Sequence, residues 1–381
     1  MRRDEAASTA EVHRSVSADL QIVTLRRSSC EEHFVTAVRI GDEPPEAMFE
    51  RAAGAVRDRR AGVVSQEVFG LRERNGSGTG KLTATLGEVA WPVTWVENGD
   101  LDNVGGTQLW AVTGAQVEPL RMGDRVLGCL FEDDHAQYCR LGGLVSADAS
   151  QPRDAQARDV FVQMEAGLRT TGMNFGHVLR TWFCNDDILS WYGQFNTARD
   201  TFFRERGVFD GLVPASTGVG GRNPAGAALT CGLLAVRAKG QEAQAIAVPS
   251  PLQCPALEYG SSFSRAVEFA TPDHRRLFVS GTASIAPEGH TVHGGDATGQ
   301  LALTMEVVEA ILASRDMGWA DVSRAIAYFK HSEDIPALGG YCAEHGIQAL
   351  PAVLVNDDIC RDDLLFEIEL DAVAGARRIP D

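Results

Sequence analysis

The sequence predicts an α+β fold in which one unit of helices and strands occurs twice. Short runs rich in β-branched residues, bounded by Gly, Asp or Asn, are typical of strands, and longer runs show helical periodicity. Residues from about 154, and again from about 297, follow one order of elements: helix, strand, helix, strand, strand. Two sheets, each covered on one face by its helices, would then pack against each other.

The first part of the chain is typical of strands and hairpins. Six short β-branched runs fall within residues 19–135: LQIVTLRR, HFVTAVRIG, AGVVSQEVFG, VTWVENG, QLWAVTG and DRVLGCLFED. Residues 1–18 precede these runs and contain arginines but no apolar stretch of the kind found in a signal peptide. We therefore expect a flexible polar tail there.

The repeat is clearest later in the chain. After a helix over about 154–171, the first unit continues with FGHVLRTWF, DILSWYGQFNTARDTFFRERG and LVPASTGVGGRNPAGAALTCGLLAV. The second unit reads ATGQLALTMEVVEAILASRD, WADVSRAIAYF, EDIPALGGYCAEHG and LPAVLVNDDICRDDLLFEIELDAV. Pro214 precedes Thr230 by 16 residues, and Pro351 precedes Glu367 by 16 residues. This equal spacing supports a duplicated unit.

These patterns divide the chain into two domains. We expect one domain over residues 19–246, a proline-containing linker over 247–262 and a second domain over 263–381. Strands in SFSRAVEFA and RRLFVSGTASI would open the second domain, as the hairpins open the first.

Composition argues against several classes of partner. A formal net charge of -17 is unfavourable for binding nucleic acid or an anionic membrane, and no apolar run is long enough to span a bilayer. The eight cysteines include no CxxC pair, so neither a zinc ribbon nor a disulfide framework is expected. Reduced thiols in the cytoplasm fit this composition best.

Common cofactor motifs are also missing from the sequence. No GxGxxG joins a strand to a helix, GVGGRNPAG lacks the Lys-Ser/Thr pair of a phosphate-binding loop, and no GxSxG is present. His290 and His293 in HTVH are typical of a solvated turn rather than of a metal site. We therefore expect neither a metal nor a nucleotide cofactor.

The last predicted strand carries two neighbouring carboxylates. Alternation from Leu364 to Val373 places Glu367 and Glu369 together on the face opposite the apolar residues. A half-solvated sheet face would explain this pair without any function, so the alternation alone leaves both interpretations open.

Two loops have residues suited to an anion. STGVGGRNPAG can turn the backbone N–H groups of Gly220 and Gly221 toward one point, and Arg222 adds a guanidinium that suits a carboxylate. EYGSSFSRA places Tyr259 and Arg265 near the start of a strand. The alternatives are an ordinary hairpin loop in the first case and a surface arginine in the second.

Several of these stretches together resemble the chorismatase family, the chorismate-cleaving enzymes of bacterial secondary metabolism. The resemblance is carried by LRTWFCNDDILSWYGQFNTARDTFF, PASTGVGG, YGSSFSRA, LFVSGTASI and DDICRDDLLFEIE, which run from about 179 to 369 in the family's order. Residues before 150 match much more loosely. The resemblance implies a pair of fused RidA-like α+β halves with mixed sheets, in agreement with the repeat.

The resemblance also implies roles for individual residues. Glu367 stands in the LLxEIE strand where chorismatases have the acid of the reaction, and Glu369 would support it. Cys360 stands where members that form 3-hydroxybenzoate have a cysteine; otherwise it would be interpreted as a small buried hydrophobe. Ala283 is typical of the hydrolytic members. We also expect Ala283 and Thr230 to lie among the substrate-binding residues.

The chemistry of chorismate sets what such a site must supply. Cleaving its enol ether without a cofactor requires a proton on the terminal methylene carbon, so Glu367 must stay neutral at pH 7. Its pKa must then lie well above the ordinary value for a glutamate, through burial or through the negative charge of Glu369, Asp357 and Asp358. The two substrate carboxylates need cationic or N–H partners, which the two loops described above would supply.

Two products can follow protonation. Attack by water gives pyruvate and a dihydroxycyclohexadiene carboxylate, whereas displacement by the neighbouring ring hydroxyl gives pyruvate and 3-hydroxybenzoate. Cys360 favours 3-hydroxybenzoate, with hydrolysis as the alternative. A RidA-like deaminase is a rival function, although this chain has Val353 in PAV where those enzymes have the arginine of PAR. A non-catalytic binding protein is a second rival, and the fused halves favour a monomer.

Overall fold

The computed structural model describes residues 10–70, 77–97 and 105–376. Within these ranges the chain forms three six-stranded sheets, and each sheet belongs to one repeat of eight elements. The first repeat comprises β1 (Glu11–Val16), β2 (Leu20–Arg26), β3 (Glu31–Val38), α1 (Pro45–Asp58), β4 (Gly62–Phe69), α2 (Ser77–Leu86), β5 (Val93–Val96) and β6 (Gly106–Thr113).

The other two repeats have the same order of elements. The second repeat comprises β7 (Glu118–Met122), β8 (Arg125–Glu132), β9 (Ala136–Leu144), α3 (Arg153–Thr170), β10 (Val178–Asn185), α4 (Ile188–Glu205), β11 (Ala215–Gly220) and β12 (Leu229–Ala238). The third comprises β13 (Gln244–Val248), β14 (Ala266–Ala270), β15 (His274–Ala283), α5 (Ala297–Ala313), β16 (Val322–Phe329), α6 (Pro336–Glu344), β17 (Ala352–Asn356) and β18 (Phe366–Gly375).

Strand order is identical in the three sheets. The orders are β1-β2-β3-β6-β4-β5, β7-β8-β9-β12-β10-β11 and β13-β14-β15-β18-β16-β17. The outer pairs β4/β5, β10/β11 and β16/β17 are parallel and the remaining pairs are antiparallel, so each sheet is mixed. In each repeat the second helix supplies the connection that the parallel pair requires, and the first helix leads from the third strand to the fourth, which lie on either side of the last strand.

The α+β class and the helix-covered mixed sheets predicted from the sequence are confirmed, but the number of units is three rather than two. The predicted domain over 19–246 contains two sheets, because its first part forms a sheet of its own and the hairpin strands β7 to β9 belong to the next. Helices α1 and α2 make this possible, and neither was recognised in the sequence.

The predicted boundaries shift as a consequence. Within the predicted tail, residues 11–16 form β1, which pairs with β2 along its whole length. The backbone N–H of Ala10 donates to the carbonyl of Asp273 (3.0 Å), and Nε of Arg14 donates to the carbonyl of Ala320 (2.7 Å). Residues 10–16 therefore fasten the first repeat to the third. At the other boundary, β13 begins before the predicted linker 247–262 and adds an edge strand to the third sheet.

Each repeat has its own apolar core between its helices and its sheet, and a further core joins the three sheets. Buried ion pairs also cross between the repeats: Glu32 of the first repeat accepts hydrogen bonds from Arg27 and from Arg276 of the third, while Arg27 also contacts Asp133 of the second. None of the helices in the described part of the chain is both long and apolar enough to cross a membrane.

Candidate active site

Glu367 lies at the boundary between the second and third repeats. It sits in β18, opposite Tyr328 of β16 on one side and Ala283 of β15 on the other, and it is only 4% exposed. A carbon placed on Gly281 would lie 2.0 Å from Oε1 of Glu367 and 3.2 Å from Cγ2 of Thr217 in the second repeat. The carboxyl therefore occupies space that the glycine leaves open.

Glu369, two residues further along β18, is fully buried and held by donors from both repeats. It accepts hydrogen bonds from Nη2 of Arg180 (2.6 Å), Nη2 of Arg324 (2.9 Å) and Nε1 of Trp182 (3.0 Å). Burial alone would raise the pKa of Glu369, but the two arginines hold that pKa below its usual value. Glu369 is therefore ionised at neutral pH, and the half-solvated interpretation of this strand face is wrong.

Glu367 has the opposite character. Burial raises the pKa of its carboxyl to about 8, the negative charge of Glu369 adds to the effect, and Arg180 and Arg265 oppose it. At neutral pH Glu367 therefore carries its proton while Glu369 does not. Two titratable groups whose surroundings push their pKa values apart are typical of sites that carry out acid catalysis.

Cys360 lies beside Glu367 on the segment that follows β17. Burial raises the pKa of its thiol to about 12; among the smaller causes, the charge of Glu367 acts in the same direction and the charge of Arg361 opposes it. Cys360 is thus a neutral thiol at neutral pH.

Gly220 and Gly221 do not offer the free N–H groups expected from the sequence. The N–H of Gly220 donates to the carbonyl of Asp358 (2.7 Å), and the N–H of Gly221 donates to the carbonyl of Asn185 (3.1 Å). A carbon placed on Gly220 would lie 2.4 Å from Oδ1 of Asp357. These glycines therefore allow close approach of the segment that carries Cys360, and the prediction that their N–H groups bind substrate is wrong in this structure.

The predicted arginines lie at two places around this boundary. Arg265 is 4% exposed, its Nε donates to the carbonyl of Cys254 (3.0 Å), and its charge lowers the pKa of Glu367. Arg222 is half-buried near Asp357. Burial raises the pKa of Asp357 to about 7, and the charge of Arg222 opposes that rise.

The remaining predicted residues have different positions. Ala283 is buried and directly opposite Glu367. Thr230 pairs with Cys184 and lines a small cavity of about 20 Å³ that also contacts Tyr328. The side chain of Tyr259 lies outside the described part of the structure. The structure thus brings together Glu367, Cys360, Ala283 and Arg265, with Arg222 near Asp357 and Thr230 in an adjacent cavity.

Sequence reasoning missed two side chains of the second repeat that complete this site: Arg180 and Thr217. Nη2 of Arg180 donates to Oγ1 of Thr217 (2.6 Å) as well as to Glu369, and Oγ1 of Thr217 also accepts from the N–H of Gly281 (3.0 Å). Nε and Nη1 of Arg180 are buried and have no hydrogen-bond partner among the described residues. An arginine inside the apolar strand LRTWF was the available signal.

Within the ranges that the structure describes, no three His, Cys, Asp or Glu side chains are grouped so that they could hold a metal ion. His290 and His293 accordingly belong to no such group.

Comparison with known proteins identifies related chains. No family model matches the sequence. A chorismatase from Streptomyces rapamycinicus is 32% identical over 204 residues, which is 49% of this chain and 58% of that protein. A chorismatase from Streptomyces hygroscopicus is 30% identical over 224 residues, covering 52% of this chain and 62% of the relative. The matched stretches thus span about three fifths of these two relatives.

A third relative is covered more completely. A 3-hydroxybenzoate synthase from Streptomyces hygroscopicus is 30% identical over 240 residues, covering 56% of this chain and 67% of that protein. Among solved structures, a chorismatase crystal structure matches 89% of this chain and 98% of its own, with a TM-score of 0.64 and 22% sequence identity. At that identity, the structural match shows that the fold is shared.

Proposed function

The chain belongs to the chorismatase family, and we propose that it cleaves the enol ether of chorismate to release pyruvate and 3-hydroxybenzoate. The observation that carries this proposal is the pair of carboxyls in β18: Glu367 is buried and neutral at pH 7, and Glu369 is buried and ionised. A carboxyl that keeps its proton at pH 7 is what protonation of an enol ether requires.

Glu367 is the proton donor in the proposed reaction. Its Oε–H bond breaks as a C–H bond forms at the terminal methylene carbon of the enol ether, which leaves an oxocarbenium ion on the substrate. With an ordinary pKa the carboxyl would be almost fully ionised at pH 7, whereas a pKa of about 8 keeps most of it protonated.

The transfer leaves a negative charge on Glu367 in a buried position, and this charge needs a partner. Arg180 supplies it, because its guanidinium acts on Glu367 and its Nε and Nη1 have no hydrogen-bond partner among the described residues. The charge of Arg265 also lowers the pKa of this carboxyl. We propose that Arg265 and Arg222 hold the two carboxylates of the substrate.

The oxocarbenium ion then loses its bond to the ring. In the proposed route, the neighbouring ring hydroxyl displaces pyruvate, the resulting ring epoxide opens and aromatises, and the hydroxyl proton returns to Glu367. Chorismate is thereby divided into pyruvate and 3-hydroxybenzoate without net consumption of water. In the alternative route, water adds to the oxocarbenium carbon, and pyruvate leaves together with a dihydroxycyclohexadiene carboxylate. The relative named 3-hydroxybenzoate synthase supports the first route, as does Cys360 beside Glu367.

The test is pyruvate release from chorismate alone, followed with lactate dehydrogenase and without added metal or nucleotide. Glu367→Gln keeps the size of the side chain but removes the acid, so we expect the rate to fall by at least about a hundredfold. Glu268→Gln is the matched control, because Glu268, on β14, is equally buried but forms an ion pair with Arg315. Retained activity in Glu367→Gln would remove this residue from its role, and chromatography of the ring product distinguishes the two routes.

We also propose that the protein acts as a cytoplasmic monomer. The site is formed between two repeats of one chain, so it does not need a second copy. Light scattering after size-exclusion chromatography measures this, and a stable dimer or trimer would contradict it.

A further inference from the structure

The guanidinium of Arg324 is held at each of its three nitrogens. Its Nη2 donates to Oε1 of Glu369 (2.9 Å), its Nη1 donates to Oδ2 of Asp371 (3.3 Å), and its Nε donates to Oε1 of Gln108 (3.0 Å). Both carboxylates belong to the third repeat, as Arg324 does, whereas Gln108 lies on β6 of the first repeat. The orientation of this guanidinium therefore depends on a side chain from outside the third repeat.

Gln108 is itself fixed through its amide nitrogen. It is 2% exposed, and its Nε2 donates to the carbonyl of Ala325 (2.9 Å), with longer bonds to Oγ1 of Thr36 (3.2 Å) and the carbonyl of Pro351 (3.3 Å). Backbone carbonyls only accept hydrogen bonds, so the NH2 group must face them and the amide oxygen must face Arg324. Gln108 thus offers Arg324 an acceptor in one fixed direction.

The acceptor on Gln108 is neutral, so it orients the guanidinium without competing for its positive charge. That charge stays directed at the carboxyls of β18. Burial alone would raise the pKa of Glu369, and Arg180 and Arg324 hold that pKa below its usual value. Burial also raises the pKa of Glu367, and the charge of Glu369 adds to that rise. The hold of Arg324 on Glu369 therefore bears on the acid.

We propose that Gln108 is a positioning residue that keeps Arg324 on Glu369 and thereby sets the pH range in which Glu367 can donate its proton. This inference rests on the cleavage of chorismate proposed above. Without the acceptor on Gln108, Nε of Arg324 is buried and unpaired, and the guanidinium has to turn to satisfy it. Less of the charge of Glu369 is then neutralised, which strengthens its effect on Glu367. The first repeat in this way contributes to a site that lies between the other two.

Other titratable groups also face the two glutamates. Besides Arg324, the side chains whose charges interact with Glu367 or Glu369 are Arg180, Cys184, Arg265, Tyr328, Cys360 and Asp371. Burial raises the pKa values of the two thiols and the tyrosine well above their ordinary values, so these three stay neutral where Glu367 titrates. Glu67 faces Arg324 from β4 but forms an ion pair with Arg140 (2.5 Å). Burial also raises the pKa of Asp371, so the test must separate its titration from that of Glu367.

The pH profile of pyruvate release tests the proposal. Gln108→Met keeps the length of the side chain but removes the acceptor, so the pKa of Glu367 should rise. We expect the alkaline limb of kcat/KM, which reports the pKa of about 8 in the wild type, to move up by at least about half a pH unit. At pH 7, kcat should fall by about three- to tenfold, because a weaker acid transfers its proton less readily.

Gln66→Met is the matched control. Gln66 is a fully buried glutamine on β4 of the same repeat, and it donates to Oγ1 of Thr107 (3.1 Å) and accepts from Nε1 of Trp91 (3.1 Å). Its replacement should also lower stability but leave the alkaline limb in place. A limb that stays in place or moves down in Gln108→Met, or that moves equally in Gln66→Met, would overturn the proposal. If Gln108→Met does not fold, Gln108→Asn, whose shorter side chain withdraws the oxygen from Arg324, is measured with the same criteria.

A second readout does not need chorismate. Infrared spectroscopy follows the C=O stretch of protonated carboxyls as the pH rises, and subtracting the spectra of the matching Glu367→Gln variant removes the bands of Asp357 and Asp371. The pKa of Glu367 read in this way should be about 8 in the wild type and at least about half a unit higher in Gln108→Met. If the wild type releases no pyruvate, the cleavage reaction fails, and an unchanged infrared pKa in Gln108→Met still shows that Gln108 does not act on Glu367.

Discussion

Glu367 and Gly106 occupy the same position in different repeats, yet their surroundings are opposite. The last strand of each repeat has a shift in pairing register, and next to that shift Asp371 of β18 pairs with Arg324, as Trp110 of β6 pairs with Ser65. Glu367 precedes Asp371 by four residues, and Gly106 precedes Trp110 by four residues. One position holds the candidate acid, and the other has no side chain.

The side chains packed around the two positions explain why one holds an acid and the other holds a glycine. A carbon on Gly106 would lie 2.7 Å from Cγ1 of Val353, so the boundary between the third and first repeats is filled by that side chain. At the boundary between the second and third repeats, the residue equivalent to Val353 is Thr217, and Gly281 leaves room for the carboxyl of Glu367. The repeated fold thus provides the same position more than once, and packing decides whether it can hold a buried acid.

The largest effect should follow from filling the space beside the acid. In Gly281→Ala the new methyl would lie 2.0 Å from Oε1 of Glu367, so the carboxyl must move. A displacement of about 1 Å at a reacting group costs on the order of a hundredfold in rate, and we expect pyruvate release to fall by about that factor. The measurement is the lactate dehydrogenase assay on protein whose melting temperature has been checked.

Gly106→Ala is the matched change at the filled boundary. Its methyl would press on Val353 rather than on an acid, so we expect a loss of stability of about 1–3 kcal/mol from overpacking, with activity retained below the melting transition. Equal activity losses in both variants would mean that the two boundaries do not differ as described.

Local pattern accounts for how much of the fold could be predicted. The predicted runs of the first third correspond to β2, β3, β4, β5, β6 and β8, because alternating β-branched residues are a local signal. Helix α1 was missed although Met48, Phe49, Ala52 and Val56 are buried at helical spacing, because two of its turns carry alanines, whose apolar signal is weak. Missing this helix concealed the first repeat and gave two units instead of three.

Less of the candidate site than of the fold could be predicted from the sequence. Glu367 and Cys360 lie within one short motif, so the family resemblance identified them together. Arg180 is 189 residues from Glu369 and meets it only because the second and third repeats pack against each other. Such contacts depend on tertiary packing, which no local pattern in the sequence encodes. The same packing occupies the N–H groups of Gly220 and Gly221, which the sequence presented as free.

The buried acid has a pH-dependent cost in folding stability, which the filled boundary at Gly106 avoids. The folded pKa of Glu367 is about 8 against an ordinary value of 4.5, so the folded chain keeps a proton that the unfolded chain releases. Its contribution to stability is fully present below pH 4.5 and is lost as the pH rises through about 8. Between pH 6 and pH 9 the wild type should therefore lose about 2–3 kcal/mol more than Glu367→Gln.

Urea unfolding of both proteins at the two pH values measures this difference, and Asp357 contributes equally to both. The same ionisation should reduce kcat/KM as the pH rises through about 8, since the acid form is required. Identical pH dependence of stability in the two proteins would show that Glu367 is not held neutral by the fold.

The smallest effect should come from removing a hydrogen bond that has an equivalent at a second boundary. Oγ1 of Thr217 accepts from the N–H of Gly281 (3.0 Å), and Oγ1 of Thr94 accepts from the N–H of Gly143 (2.9 Å) between the first and second repeats. Replacing either threonine by valine leaves a backbone N–H without that acceptor, so we expect a similar loss of about 1–3 kcal/mol in each variant, measured by urea unfolding.

Activity should separate these two valine variants. Thr217 also accepts a hydrogen bond from Arg180, whose guanidinium is proposed to pair with the ionised Glu367. The boundary at Thr94 contains no equivalent acid, because Thr230 occupies the position that corresponds to Glu367. Thr217→Val should therefore lower pyruvate release by about tenfold, while Thr94→Val leaves it near the wild-type rate. If both variants kept full activity, the hydrogen bond would serve only to join repeats, and Arg180 would not need Thr217 to act on the acid.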